Sequence, residues 1–453
     1  MASTLKKQGN STDYSVVAVP DTHRMSKNSL TMAWWGICSA MFWLVVSATL
    51  AMTFGTKNAI IGLVLSVVTY AAINGIISRY AIKTGLSVAL FSRVLFGRTG
   101  AILATLIFFA TATYYSVFEG SVIAIAIHQY VSAMSLNQAY LLVVLYSVPL
   151  IFGSVQNWMD KLNGVLLPFY LIGLVALVVV TIGEYGYSSA WLEMGPENGS
   201  VENGWWDCFS YFMGVWILMM YTWDYARFGR KEDAQYHGRF NFGLPFYTFT
   251  FLINGLVGIF LAGTIPTPGG LTEVSVVMAI IELMGVWGLI FVWVSQTRIN
   301  SANFFLAATN MQAFFGRLGL AKVPYIVWAI TVGVLVYTLM RLNVFEYILQ
   351  ALAYQSIFIV AWVAIALAHI FSPKYTQLFE GKIEYELERV SAFNPCGLGA
   401  WFLAAGLGIL LLNIGSATLA TFSAPVTFVS AFGAYWLLLN SAKRSWFVRA
   451  NCT

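Results

Sequence analysis

Tyr115 and Glu119 stand four residues apart, on one face of a helix, deep inside the hydrophobic run Ala101–Tyr130. A second charge, Arg298, lies inside the run Val276–Ala308. Ionisable groups at bilayer depth are costly and by default mark a substrate or ion pathway. A carboxylate there can accept from two N–H groups of a flat ring, and in its protonated form can donate as well, so Glu119 could both read a substrate edge and carry a coupling proton. Arg298 could form an ion pair with Glu119 that an entering substrate competes for, or bind an anionic substrate directly. Each has a plainer alternative: Glu119 as a structural partner of Arg298 or of a backbone N–H, Arg298 as a snorkelling side chain facing a wet crevice.

The elements that hold these groups are membrane helices. Of 453 residues, 59% are apolar and 9% charged, and the mean hydropathy is +0.75, which excludes an ordinary soluble domain. Apolar stretches of spanning length fall near 31–53, 58–80, 100–130, 138–156, 162–183, 208–226, 242–264, 276–308, 324–341, 347–371, 397–415 and 420–440. They lack the apolar–polar alternation of an outer-membrane barrel, so all twelve are expected to be helices.

The basic tail with Lys6, Lys7, Arg24 and Lys27 shows no cleavable signal pattern, so the first span is expected to stay. Placing that tail in the cytoplasm leaves only Lys57, Arg298 and Arg341 of the 24 Lys and Arg outside cytoplasmic segments. The positive-inside rule then sets both termini in the cytoplasm of a plasma membrane. The loop 184–207, with five acidic and no basic residues, falls outside.

The net charge of +5 is accounted for by loops facing anionic lipid and gives no warrant for nucleic-acid binding. Four scattered cysteines and four unclustered histidines imply neither a disulfide frame nor a metal site. No phosphate loop, GxSxG elbow or HExxH pair is present, so the chain does not read as an enzyme.

Two cytoplasmic edges carry a resemblance. The segment Lys83-Thr84-Gly85-Leu86-Ser87, continuing through Phe91-Ser92-Arg93 to Phe96-Gly97, resembles the loop after the second helix of the nucleobase–cation symporter family. The sixth span ends Thr222-Trp223-Asp224-Tyr225-Ala226-Arg227-Phe228-Gly229-Arg230, which resembles that family's D-[FY]-x-R-[FY] signature. The resemblance runs from about Asn28 to Ser441 and implies an all-α polytopic membrane protein of twelve transmembrane helices with the five-plus-five inverted-repeat (leucine-transporter-like) fold. The expected organisation is a cytoplasmic tail at 1–28, a ten-helix core at 29–371 with repeats at about 29–183 and 204–371, a cytoplasmic loop at 372–396, helices 11 and 12 at 397–440, and a tail at 441–453.

In such folds the first and sixth helices are interrupted near the midplane; in the first span the break is expected at Ser47–Thr49. The family places an aromatic in the third helix on one face of the heterocycle, a polar group one turn later on its edge, and an aromatic of the sixth helix on the other face. Here these would be Tyr115, Glu119 and Trp216, with Tyr221 nearby, in place of the usual Trp and amide of the third helix. In the eighth span the family's sodium-coupled members carry paired hydroxyls followed by an Asn; aligned without a gap these become Gln296, Thr297 and Arg298. A guanidinium cannot ligate sodium and stays charged, which favours proton coupling or exchange; a shift of one residue would leave Ser295 and Thr297 as sodium ligands. Asn300 or Asn303 is expected to supply amide contacts to substrate while the other bonds a helix.

Asp224 and Arg227 read as a local ion pair or cap with a structural or gating role, and Leu349–Gln355 as an outer gate. The segment 83–98, with Leu86, Leu90, Phe91 and Leu95 between basic residues, suits a helix along the cytoplasmic interface. Together these point to a secondary transporter that imports a nucleobase or related planar nitrogen heterocycle, with no cofactor beyond a coupling proton or sodium ion. Membrane lipid would be its other partner and a monomer would suffice. A same-fold carrier of an amino acid or other charged metabolite, and a non-transporting membrane receptor, remain as alternatives.

Overall fold

A computed structural model describes residues 17–152, 155–266, 274–320, 322–343 and 347–449, with side chains except those of 155–166, 317 and 318. Lys6, Lys7, the side chains of Lys161 and Arg317, and the chain ends at 1–16 and 450–453 lie outside the described residues. Among the described residues the chain is helical, and helix lies in all twelve expected segments. Lipid offers backbone groups no partners, so each apolar run closes its hydrogen bonds on itself.

The first span is broken. Helix α1 (Lys27–Trp35) gives way to a 3-10 turn at Gly36–Ser39 and an extended Ala40, and α2 (Phe42–Phe54) resumes at an angle of 41°. The expected break at Ser47–Thr49 is corrected by this: both residues lie in the middle of α2, where the Thr49 hydroxyl donates to the Val45 carbonyl at 2.9 Å. A hydroxyl that bonds back along its own helix leaves the ladder intact, whereas the small residues Gly36, Cys38, Ser39 and Ala40 supply a stretch over which other elements can approach.

The second span is α3 (Thr56–Thr84), and α4 (Val88–Gly100) follows it after a short turn. Leu86, Leu90, Phe91 and Leu95 are buried within the protein, so the apolar face of this segment packs on the helices above it rather than on lipid. The third span is α5 (Ile102–Tyr130), the fourth α6 (Leu136–Leu150) and the fifth α7 (Val155–Tyr185).

The sixth span is also interrupted: α8 (Gly204–Phe212), a 3-10 turn at Met213–Val215, then α9 (Ile217–Ala226). After the short α10 (Ala234–Tyr236), the seventh is built from α11 (Leu244–Tyr247), a π-helical turn Thr248–Ile253 and α12 (Asn254–Thr264). The run 276–308, expected to be one span, is divided into α13 (Ser275–Met284) and α14 (Val286–Phe315) at Gly285, whose φ of 52° and ψ of −125° suit glycine alone.

The remaining spans are α15 (Tyr325–Met340), α16 (Ile348–Phe371), α18 (Pro395–Asn413) and α20 (Ser423–Asn440), with α17 (Pro373–Phe379) and α19 (Ala417–Ala420) between them. Helices α5 and α14, which carry Glu119 and Arg298, pack against one another more extensively than any other pair. α16 and α18 close on α20, so the last two spans seal the side of the bundle. Six helices are individually long and apolar enough to cross a membrane, and the bent pair of the first span makes a seventh. With the shorter apolar helices between them, this is a multi-pass integral membrane protein.

Candidate functional site

The site is built around the break in the first span, where a helix leaves backbone groups without intrahelical partners. Side chains from four elements meet them. Asn254 at the start of α12 donates from Nδ2 to the Cys38 carbonyl at 2.8 Å, and its Oδ1 accepts from the Tyr170 hydroxyl of α7 at 3.1 Å. Trp43 Nε1 donates to the Ile37 carbonyl at 3.1 Å, and the Ser39 hydroxyl to the Gly36 carbonyl at 2.9 Å. Gln296 of α14 reaches the far side of the break, where its amide oxygen accepts from Met41 N at 3.0 Å while its amide nitrogen donates to Glu119 Oε2.

Glu119 is almost wholly buried in α5 and Arg298 is 8% exposed in α14. The Arg298 guanidinium lies against Gly36, filling the space a side chain at that position would take. Both intramembrane charges therefore sit at the interruption in the first span, one through Gln296 and the other by direct packing.

Tyr115 lies one turn from Glu119. Its ring meets Phe42 edge-on, with centroids 5.2 Å apart, and its hydroxyl accepts from Gln355 Nε2 of α16 at 3.3 Å. The same Gln355 nitrogen donates to the Gly214 carbonyl, at the break in the sixth span, at 2.7 Å. Gly214 in turn packs against the backbone of Leu352, where a Cβ would collide with the Leu352 carbonyl. Helices 3, 6 and 10 are thus drawn together above the Tyr115 ring.

Other expected site residues separate. Trp216 meets Tyr70 of α3 and Phe428 of α20 edge-on, at 6.2 and 5.6 Å between centroids, so its ring partners are not those of Tyr115. Tyr221 stacks on Phe108 at 5.7 Å. Ser295 donates to the Phe291 carbonyl at 2.7 Å, while the Thr297 hydroxyl pairs with Tyr146 of α6 at 3.2 Å. Two residues apart on a helix means about 200° of rotation, so the Thr297 hydroxyl faces α6, while Ser295 Oγ also lies 3.2 Å from the Gln296 amide at the break. Asn300 donates to Ser147 of α6 at 3.0 Å, and Asn303 is buried in the same helix.

Asp224 and Arg227 pair at 3.7 Å, and Asp224 also caps α4 by accepting from Val88 N at 2.9 Å. Sequence reasoning missed Gln296 as a link, and Asn254, Gly36 and Gly214 altogether. The small residues Gly36, Cys38, Ser39 and Ala40 and the glycine at 214 are the signals that could have located the breaks.

The chain before α1 crosses the C-terminal ends of α3 and α9. Arg24 Nη1 donates to the carbonyls of Ile82, Arg227 and Gly229 at 2.7, 2.9 and 2.8 Å, and Met25 N to Phe228 O at 2.7 Å. Burial lowers the Arg24 pKa, and Asp21 offsets part of this. Asp21 itself, at the surface, is held below its ordinary value chiefly by the hydrogen bond from Lys231.

No family model matches the sequence, and no curated relative matches it. Solved structures do. The fold matches Mhp1, a nucleobase-cation-symport-1 family transporter, in a closed conformation with bromovinylhydantoin bound, at a TM-score of 0.72, 14% identity, and 94% and 95% coverage of this chain and that one. The inward-facing conformation of Mhp1 matches at 0.74, again at 14% identity, with 95% and 94% coverage. A Na⁺-coupled sialic acid symporter in an outward-open state matches at 0.50, with 9% identity and 93% and 91% coverage. These are transporters rather than enzymes, solved in closed, inward-facing and outward-open forms. The chain thus has the fold of the nucleobase–cation symporter transporters, which the motifs at 83–97 and 222–230 imply.

Proposed function

We propose that the protein is a secondary transporter that imports a nucleobase or related planar nitrogen heterocycle by alternating access. The observation that carries this is the placement of Glu119: a buried carboxylate one turn from an aromatic ring, beside an interrupted helix, in a fold whose solved relative holds a hydantoin. In this reading Tyr115 stacks on the ring and Glu119 reads its N–H edge. Trp216 joins them only if α9 turns, and Asn303 is the remaining amide for the opposite edge. Both termini are cytoplasmic, the membrane is the plasma membrane, and one chain suffices.

The coupling ion is a proton rather than sodium. A sodium ion at the break would need free carbonyl and hydroxyl oxygens; here Asn254 and Trp43 already occupy the Cys38 and Ile37 carbonyls, and Arg298 brings a fixed positive charge against Gly36. Arg298 takes the place of the ion, and Glu119 is the group able to gain and lose a proton.

The test is uptake of labelled nucleobases and related rings into proteoliposomes with proton and sodium gradients imposed separately. Accumulation driven by an inward proton gradient and indifferent to sodium supports the reading; sodium-driven accumulation overturns its ionic half.

The guanidinium at the break favours one other reading, a carrier of an amino acid or other anionic metabolite whose carboxylate binds Arg298. Competition of uptake by zwitterions and not by nucleobases would select it. Binding without counterflow in vesicles would select a receptor instead.

A further inference from the structure

Gln296 stands between two groups on different elements. Its amide nitrogen donates to Glu119 on α5, and its amide oxygen accepts from Met41 N, the first backbone N–H after the extended Ala40, and from the neighbouring Ser295 Oγ at 3.2 Å. Glu119 belongs to the closely packed α5–α14 pair, whereas Met41 belongs to the broken first span.

We infer that Gln296 is a positioning residue that couples the ionisable carboxylate of helix 3 to the opening of the break in helix 1. The inference rests on the reading above only for what approaches Glu119. The physical argument is one of shared hydrogen bonds. A primary amide whose nitrogen is fixed by a carboxylate has its oxygen fixed on the opposite side, since N, C and O lie in one plane. In a buried site each member of such a chain is worth most when all are satisfied.

A ring N–H that binds Glu119 Oε2 competes with the Gln296 amide for that oxygen. Where it wins, the amide is released on one side, its hold on Met41 N weakens, and the segment 36–41 is freer to shift against α14. Tight binding at Glu119 is converted in this way into freedom at the break. Asn254 and Arg298 hold the same segment at Cys38 and Gly36, and with Met41 N released they are what remains to restrain it.

Cys38 provides the reporter. It is fully buried within the break and adjoins the Asn254 contact. With Cys208, Cys396 and Cys452 replaced by serine in the full-length protein, the rate of Cys38 alkylation by N-ethylmaleimide measures how often the break opens, with no substrate required. Gln296→Leu is expected to raise that rate about tenfold. Glu119→Ala, which removes a group with no bond of its own to the break, is expected to raise it to a similar extent, and the double variant no further. The exchange Glu119→Gln with Gln296→Glu restores donor and acceptor in reversed order and is expected to return labelling to near the parent rate.

Thermal unfolding of each variant in detergent separates local opening from loss of fold: faster labelling at an unchanged midpoint supports the coupling. A parent rate in Glu119→Ala, or no recovery in the exchanged pair at an unchanged midpoint, overturns it. Because alkylation is read without substrate, that failure leaves the heterocycle assignment standing, and a failed uptake panel leaves the coupling standing.

Discussion

The guanidinium of Arg298 and the backbone of Gly36 occupy one another's space: the arginine fills the volume that any side chain at position 36 would need. A charge on the eighth span is thereby set against the interruption of the first. Gly36→Ala is expected to push the flexible end of Arg298 aside rather than unfold the protein. Uptake should fall by at least tenfold, with a thermal midpoint only a few degrees lower, consistent with an overpacking cost of about 1–3 kcal/mol. Uptake and melting of the variant measured together check this; an unaltered rate would show that the position of the guanidinium does not matter.

Gly214 makes the opposite case. Its contact is the backbone of Leu352, which cannot swing away. Gly214→Ala is expected to force α16 off the break in the sixth span, breaking the Gln355 bonds to Gly214 and Tyr115, and to lower the melting temperature more than Gly36→Ala does. Comparison of the two melting curves decides the point.

Asp224 is a cap before it is anything else. Asp224→Ala removes the acceptor for Val88 N at the start of α4, at a cost of about 1 kcal/mol, and Asp224→Asn, which can still accept, should cost less. Substrate affinity in transport assays should stay unchanged in the asparagine variant; a large loss of affinity there would place Asp224 in the binding site instead.

Arg24 ties the segment before α1 to three carbonyls on α3 and the loop after α9. Limited proteolysis of Arg24→Ala in membranes opened on the cytoplasmic side is expected to cut between residues 17 and 30 much faster than in the parent.

The same segment carries a pH dependence of definite sign. Asp21 is held below its ordinary pKa by Lys231 and Arg24. A carboxyl group depressed in the folded state contributes stability above its unfolded pKa and loses it as pH falls through the folded value. Proteolysis by an acid-active protease should therefore speed up below about pH 4, and Asp21→Asn should remove that step.

Much of this molecule was legible in its sequence, for physical reasons that act locally. Lipid forces apolar runs into helices, so twelve segments could be placed from hydropathy alone, and the cost of burying charge singled out Glu119 and Arg298. The pairing of Asp224 with Arg227 followed from helical spacing. What sequence could not fix was where backbone order is interrupted and which polar groups answer it. Ser47 and Thr49 were the polar residues nearest the middle of α2, yet Thr49 bonds within its own helix, and the break falls at Gly36–Ala40 because that is where α12 and α14 bring Asn254, Gln296 and Arg298. Trp216 and Thr297 carry the right chemistry on the right helices, but packing against α3, α6 and α20 gives them other partners, and the Ser295 hydroxyl bonds back along its own helix. The sequence by itself determined which groups are too expensive to bury without purpose; the tertiary structure decided which of them meet, because a hydrogen bond between distant helices depends on their rotation and register, and no local pattern encodes either.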